Sequence, residues 1–312
     1  MKKLASLLLG HFRIEVNPLF FSLWILFLTA CISFRYFLPA AYQQLMAAVP
    51  LPLSDFLFYA FPLGITLLLY LFFDRKLELL LNPHLWLNCA LSIFVLFANQ
   101  YFSLHTFFAK SAAPELSSFL YMTGFNMQSC FFYIIIPLAY GLICERPARK
   151  NFYGVTTQGF DAKPYFQMLL FMLPLLVWAS FQPHFLQTYP RYRTGEAEAV
   201  LGLSPYFTVS VYELSYVLQF VALEIFFRGF IVMVLSRFIG AGAVAVMVSL
   251  YVFIHFDKPL AETIGSFFGG YILGVLSLRT GSVLGGMIAH IGVALGMEAL
   301  AFLQLYVFGR HT

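Results

Sequence analysis

Residues 222–230 read ALEIFFRGF, and within this apolar run Glu224 and Arg228 stand four residues apart. That spacing and order bring a carboxylate and a guanidinium together on one helical face. Downstream, in equally apolar surroundings, lie His255 and His290. A carboxylate next to a cation can serve as a base, and imidazole transfers protons or binds metals near neutral pH. A structural ion pair accounts for Glu224 and Arg228 taken alone, and a lone apolar-flanked histidine is more often a satisfied core residue. Two histidines and a glutamate able to converge make the stronger case for a site.

The elements that must position these groups are membrane helices. The 312 residues are 61% hydrophobic, 19% aromatic and only 10% charged, with a mean hydropathy of +0.83. Such a chain has too little polar surface to coat a water-soluble globule. At about 20 apolar residues per crossing, the length fits an all-α polytopic transmembrane bundle of eight or nine spanning helices. Apolar spans are expected at about 18–39, 54–73, 84–104, 117–143, 164–186, 206–236, 241–256, 260–278 and 281–308. The start, MKKLASLLLGHFRIEV, has the basic head of a signal peptide, but His11, Arg13 and Glu15 interrupt its apolar stretch, so it reads as an amphipathic lead-in.

Lys2, Lys3, Arg13, Arg75, Lys76, Arg146, Arg149, Lys150, Lys163, Arg237 and Arg279 fall on one side of these spans, and Lys110, Arg191, Arg193, Lys258 and Arg310 on the other. Eleven against five puts the N-terminus in the cytosol. The net charge of +4 is spread through short loops, which argues against a nucleic-acid partner. Cys31, Cys89, Cys130 and Cys144 lie in or beside apolar runs without CxxC spacing and read as packing residues. The most polar connections, 145–163 and 188–205, divide the chain loosely into N-terminal helices over 1–163 and C-terminal helices over 164–312. A transporter would also bury Glu, Arg and His, but it usually shows an internal repeat or broken helices in both halves. Here the polar residues concentrate in the last third.

A charge at mid-bilayer costs on the order of 3 kcal/mol on insertion scales, so each needs a partner or a task. Arg35 sits at the end of its span and can snorkel to the interface. With a turn at Gly240–Gly242, Glu224 lies sixteen residues before it and His255 fifteen after, about 24 Å and about 22 Å along antiparallel helices. Carboxylate and imidazole then share one depth. His290, about ten residues past Gly281, is also within the membrane. Glu298, eight residues after His290, either joins that face or meets water at a helix end. Glu213 either lines an approach to the site or is solvated at the interface. Gly265, Gly269, Gly270 and Gly274 form small-xxx-small spacings that signal close helix packing.

In this order the segments Leu223–Gly229 (LEIFFRG), Tyr251–His255 (YVFIH) and His290–Ala294 (HIGVA) resemble the CPBP or Abi group of intramembrane endopeptidases. That group includes the Ras-converting type of CAAX protease and bacteriocin-processing and self-immunity proteins. Its pattern is Glu-Glu-xxx-Arg, then Phe-xxx-His, then His-xxx-Asn or Asp. The run Ile254–His290 is also similar to many bacterial members, and the resemblance covers about residues 205–300. It implies an endopeptidase in a bacterial inner membrane that cleaves a membrane-associated or lipidated protein with a water activated by Glu. Glu224, Arg228, His255 and His290 are its implied catalytic residues. The metalloprotease reading implies zinc on His255 and His290; the alternative is that both histidines bind water and oxyanion without metal. Two positions depart from the pattern: Leu223 replaces the first Glu, usually assigned the water-activating role, and Ala294 replaces the Asn or Asp. Either Glu224 takes over as base, or the chain is an inactive relative that acts as a membrane scaffold, binding or self-immunity protein.

Overall fold

The computed structural model describes residues 2–15, 17–144, 152–182 and 184–310, and every regular element among them is helical. Residues 145–151 of the polar connection, with Arg146, Arg149 and Lys150 of the charge comparison, lie outside the described residues. In chain order the helices are α1 (Lys2–Ile14), α2 (Pro18–Phe37), α3 (Pro39–Ala47), α4 (Leu53–Phe73), α5 (Pro83–Tyr101), α6 (Leu104–Ser111), α7 (Pro114–Cys130), α8 (Ile136–Cys144), α9 (Lys163–Ser180), α10 (Phe185–Thr188), α11 (Glu196–Leu201), α12 (Pro205–Glu224), α13 (Met233–Ile239), α14 (Gly242–Phe253), α15 (Leu260–Thr280) and α16 (Leu284–Phe302). A wide π turn, Phe131–Ile135, joins α7 to α8, and a longer one, Ile225–Val232, joins α12 to α13.

Several helices start by one device. Asn17, Asn82 and Ser204 accept backbone N–H groups of the first turn through their side chains, and each is followed by proline. Proline at the first helical position lacks only an N–H that has no helical acceptor anyway.

Among the described residues, seven stretches are long and apolar enough to cross a membrane: Pro18–Phe37, Leu53–Phe73, Pro83–Ser111, Pro114–Cys144, Pro205–Ile239, Leu260–Thr280 and Leu284–Val307. The chain is an integral membrane helix bundle. The count is lower than the expected eight or nine because two apolar runs fall short. One is α9, an 18-residue helix whose first five residues include the polar Lys163, Tyr165 and Gln167. The other is α14, with 12 residues, about 18 Å long against a hydrocarbon core of about 30 Å.

All twelve residues of α14 are buried. A helix that is apolar on every side belongs in the centre of a bundle, and α14 is ringed there by α4, α15 and the Ile225–Val232 turn. A polar anchor toward the N-terminal helices is Ser249, whose hydroxyl accepts from Trp24 Nε1 at 2.8 Å and lies 2.7 Å from Thr66 Oγ1. Gly270 and Gly274 of α15 let that helix approach: a Cβ at Gly270 would stand 3.0 Å from the Tyr251 ring, and one at Gly274 would meet Met247 and Val244. Gly265 and Gly269 have nothing within 4 Å and play no such part.

From His255 on, the turn after α14 keeps only three-residue backbone bonds, and side chains satisfy carbonyls left over. Tyr36 of α2 donates its hydroxyl to the Lys258 carbonyl at 2.6 Å, and Thr263 of α15 donates to the His255 carbonyl at 2.7 Å. Arg35 lies 3.7 Å from Asp257 Oδ1 and 4.9 Å over the Tyr42 ring, so it ties α2 to this turn while remaining at the end of its span. Burial, reinforced by the charge of Arg191, pushes the Lys258 ammonium below its usual pKa.

The segment 185–204 is ordered by Glu198, which accepts from the Tyr192 and Thr208 hydroxyls and the Gly195 N–H. Burial pushes its carboxyl up, but these donors outweigh it and hold it down at about 2. The four cysteines are free.

Candidate active site

The helix carrying ALEIFFRGF changes winding inside the motif. Glu224 is the last residue of α12, and Ile225–Val232 follow as a π segment in which every residue is buried. Widened turns of this kind occur often at functional sites. Glu224 is 0% exposed, and Arg228 Nη1 lies 3.0 Å from its Oε1. The contact is an ion pair whose angle lies outside hydrogen-bond geometry. The guanidinium gains a second support from Tyr251, with its central carbon 4.3 Å from the ring centroid.

His290, on α16, approaches the same oxygen, with Nδ1 3.0 Å from Glu224 Oε1. Two glycines before it make this possible. A Cβ at Gly286 would collide with the Glu224 carboxylate, and one at Gly285 with the Tyr165 ring. α16 thus packs close on α12 and α9 where the charges sit. The His290 side chain is 19% exposed and packs at a tilt against Phe220, with ring centroids 4.4 Å apart, so it forms the open edge of a site whose carboxylate is closed off.

His255 stands one ring away. It follows α14 and packs on Tyr251 at 4.7 Å between ring centroids. Its Nδ1 lies 2.7 Å from the Tyr251 carbonyl. A carbonyl only accepts, so Nδ1 carries the proton and Nε2 is left as an acceptor. Glu224, Arg228 and His290 therefore form one set in direct contact, and His255 adjoins it through Tyr251.

Tyr251 was within the YVFIH segment yet not a candidate; its signal is position, four residues and one helical turn before His255. Its hydroxyl lies 3.3 Å from His290 Nε2. Glu298 does not join the site: both its oxygens accept the Arg191 N–H at 3.1 Å, about 12 Å along α16 from His290 at 1.5 Å per residue. Glu213, about 16 Å before Glu224 along α12, does not reach it either; its Oε2 is buried without a protein partner. The departures face inward, with Leu223 packed against the core and Ala294 1% exposed. A cavity of about 670 Å³ lies elsewhere, near the ends of α1 and α15, and its charges are paired as Lys76–Asp74 and Arg279–Glu15.

The side chains do not fit a zinc centre. Both ring nitrogens of His290 are engaged, Nδ1 by Glu224 and Nε2 by Tyr251. Among the described residues no three His, Cys, Asp or Glu side chains gather in a set able to hold an ion. A catalytic zinc takes three protein ligands and keeps a further position open.

Residues 205–296 match the family model described as Type II CAAX prenyl endopeptidase Rce1-like. No curated protein and no solved structure matches the chain. The segment that supplies Glu224, Arg228, His255 and His290 is thus similar to the Rce1-like proteins of the CPBP/Abi family.

Proposed function

We propose that the chain is an intramembrane endopeptidase that hydrolyses a peptide bond in a membrane-associated or lipidated protein, with Glu224 as the base that activates water. The observation that carries this reading is the Glu224 carboxylate, fully buried yet held by Arg228 and His290 at 3.0 Å each. A cation and an imidazole nitrogen meet on one oxygen of the carboxylate, so the group is fixed in place inside the bundle. Both partners use Oε1, which leaves Oε2, packed beside Gly286, without a hydrogen-bond partner and as the oxygen to take a proton from water.

His255 Nε2, fixed as an acceptor, orients that water, and the cation of Arg228 offsets the negative charge that develops as the water attacks the carbonyl. Substrate reaches the carboxylate past His290 and Phe220, the open edge. The N-terminus faces the cytosol by the distribution of Lys and Arg.

A second reading rests on Leu223 and Ala294. Both are apolar and turned into protein, so neither position supplies a polar group. On that reading the chain binds a membrane peptide without cutting it. Purified protein given matched lipidated and unlipidated membrane-anchored peptides decides between them, with new termini read by mass spectrometry. Cleavage with preference for the lipidated form supports the first reading; binding of both without cleavage supports the second.

Reaction without metal has its own test. Elemental analysis of purified protein is expected to find well under one zinc per chain, with cleavage unaffected by chelators. One zinc per chain, lost in the His255→Ala, His290→Ala double variant, would contradict it.

A further inference from the structure

Tyr251 touches every charged or titrating member of the site except Glu224. It is 4% exposed, in the wholly buried α14. Arg228 covers its ring at 4.3 Å, His255 packs on it at 4.7 Å, and its hydroxyl lies 3.3 Å from His290 Nε2. Phe227 meets the ring edge-on at 5.1 Å, and Gly270 leaves it a close-fitting seat on α15. The ring is held on several sides, so its hydroxyl has one defined position.

The direction of the hydrogen bonds follows from the groups. An ionised Glu224 only accepts, so His290 Nδ1 must be the donor to Oε1. Arg228 already pairs with the carboxylate, so the Glu224 charge has its counter-cation without His290. In a neutral imidazole with a proton on Nδ1, Nε2 is an acceptor, and the Tyr251 hydroxyl is the donor that faces it. A group bonded to the second nitrogen sets tautomer and ring orientation of a working histidine. Leu223 and Ala294 cannot supply such a bond, being apolar.

We infer that Tyr251 is a positioning residue for the reaction: its hydroxyl donates to His290 Nε2, holds the ring in the Nδ1–H tautomer, and through that ring fixes the Glu224 oxygen. The relay runs Tyr251 O–H to Nε2, then Nδ1–H to Oε1. It leaves Oε2 as the proton acceptor. The role in rate rests on the endopeptidase reading; the tautomer does not.

The test uses the full chain in detergent, with ¹⁵N-labelled histidine and His290 assigned by loss of its signals in His290→Gln. In the wild type, the His290 signals are expected to show a protonated Nδ1 and a bare, hydrogen-bonded Nε2. Tyr251→Phe keeps the ring that supports Arg228 and His255. It is expected to shift the Nε2 signal toward a mixture of tautomers and to lower kcat roughly 10- to 100-fold with KM nearly unchanged. Wild-type His290 protonated on Nε2 would overturn the inference even if the variant does not fold. So would a Tyr251→Phe protein with unchanged His290 signals and kcat within about twofold of wild type. If the wild type cleaves no peptide, the endopeptidase reading fails and the wild-type tautomer still decides the place of Tyr251.

Discussion

Arg228→Ala is expected to destabilise the folded protein by about 3–5 kcal/mol, the range for removing one partner of a buried pair. Arg228 and Glu224 are both 0% exposed, so no solvent replaces the lost cation. The ring of Tyr251 would also lose the guanidinium that lies on its face. Arg228→Lys should cost distinctly less. A single Nη1–Oε1 approach can be imitated by an ammonium, whereas the planar stacking cannot. Unfolding midpoints in detergent for the two variants check this. The Glu224→Ala, Arg228→Ala double variant should recover part of the loss, because no unpaired carboxylate then remains. Equal midpoints for wild type and Arg228→Ala would show that the pair contributes nothing.

Gly286→Ala is the second large effect. Its added Cβ would collide with the Glu224 carboxylate, so either α16 retreats from α12 or the carboxylate turns away from Arg228 and His290. Overpacking of this kind costs about 1–3 kcal/mol, and a displaced base costs on the order of a hundredfold in rate even where the fold survives. Gly265→Ala and Gly269→Ala are the controls, since their added Cβ atoms meet nothing within 4 Å and alanine favours the helix. Peptide cleavage should collapse in Gly286→Ala and persist in both controls. Comparable activity in all three would mean that the close contact at Gly286 does not matter.

How far the sequence could be read depended on whether a feature was local. Glu224 and Arg228 were legible because a four-residue spacing acts within one helix; counting helical rise put Glu224 level with His255, whereas the residue that meets Glu224 is His290 and His255 adjoins it through Tyr251. The chain lengths of helices were legible too, except where composition misled: α14 is as apolar as any span yet stops after 12 residues, because nothing in periodicity marks where a buried helix ends. His255 therefore lies in a turn held by Tyr36 and Thr263, not on a helix. The π winding of Ile225–Val232 left no trace in the pattern, since every residue of that segment is buried and all but Arg228 are apolar. Tyr251 and Gly286 were opaque for a related reason. Their meaning lies in partners 39 and 62 residues away in sequence, His290 for the first and Glu224 for the second. Glu298 shared a face with His290 by spacing, but the Arg191 N–H from another segment claims it.

The most direct measurement is the rate at which detergent-purified wild type and Glu224→Gln cleave a membrane-anchored peptide, compared at equal folded fraction by unfolding midpoint. Glutamine keeps the shape of the side chain and an oxygen for Arg228 and His290 to approach, but it cannot take a proton from water. The account predicts cleavage by the wild type and a loss on the order of a hundredfold or more in the variant. Equal cleavage by a folded Glu224→Gln protein would contradict the account and remove Glu224 as the base.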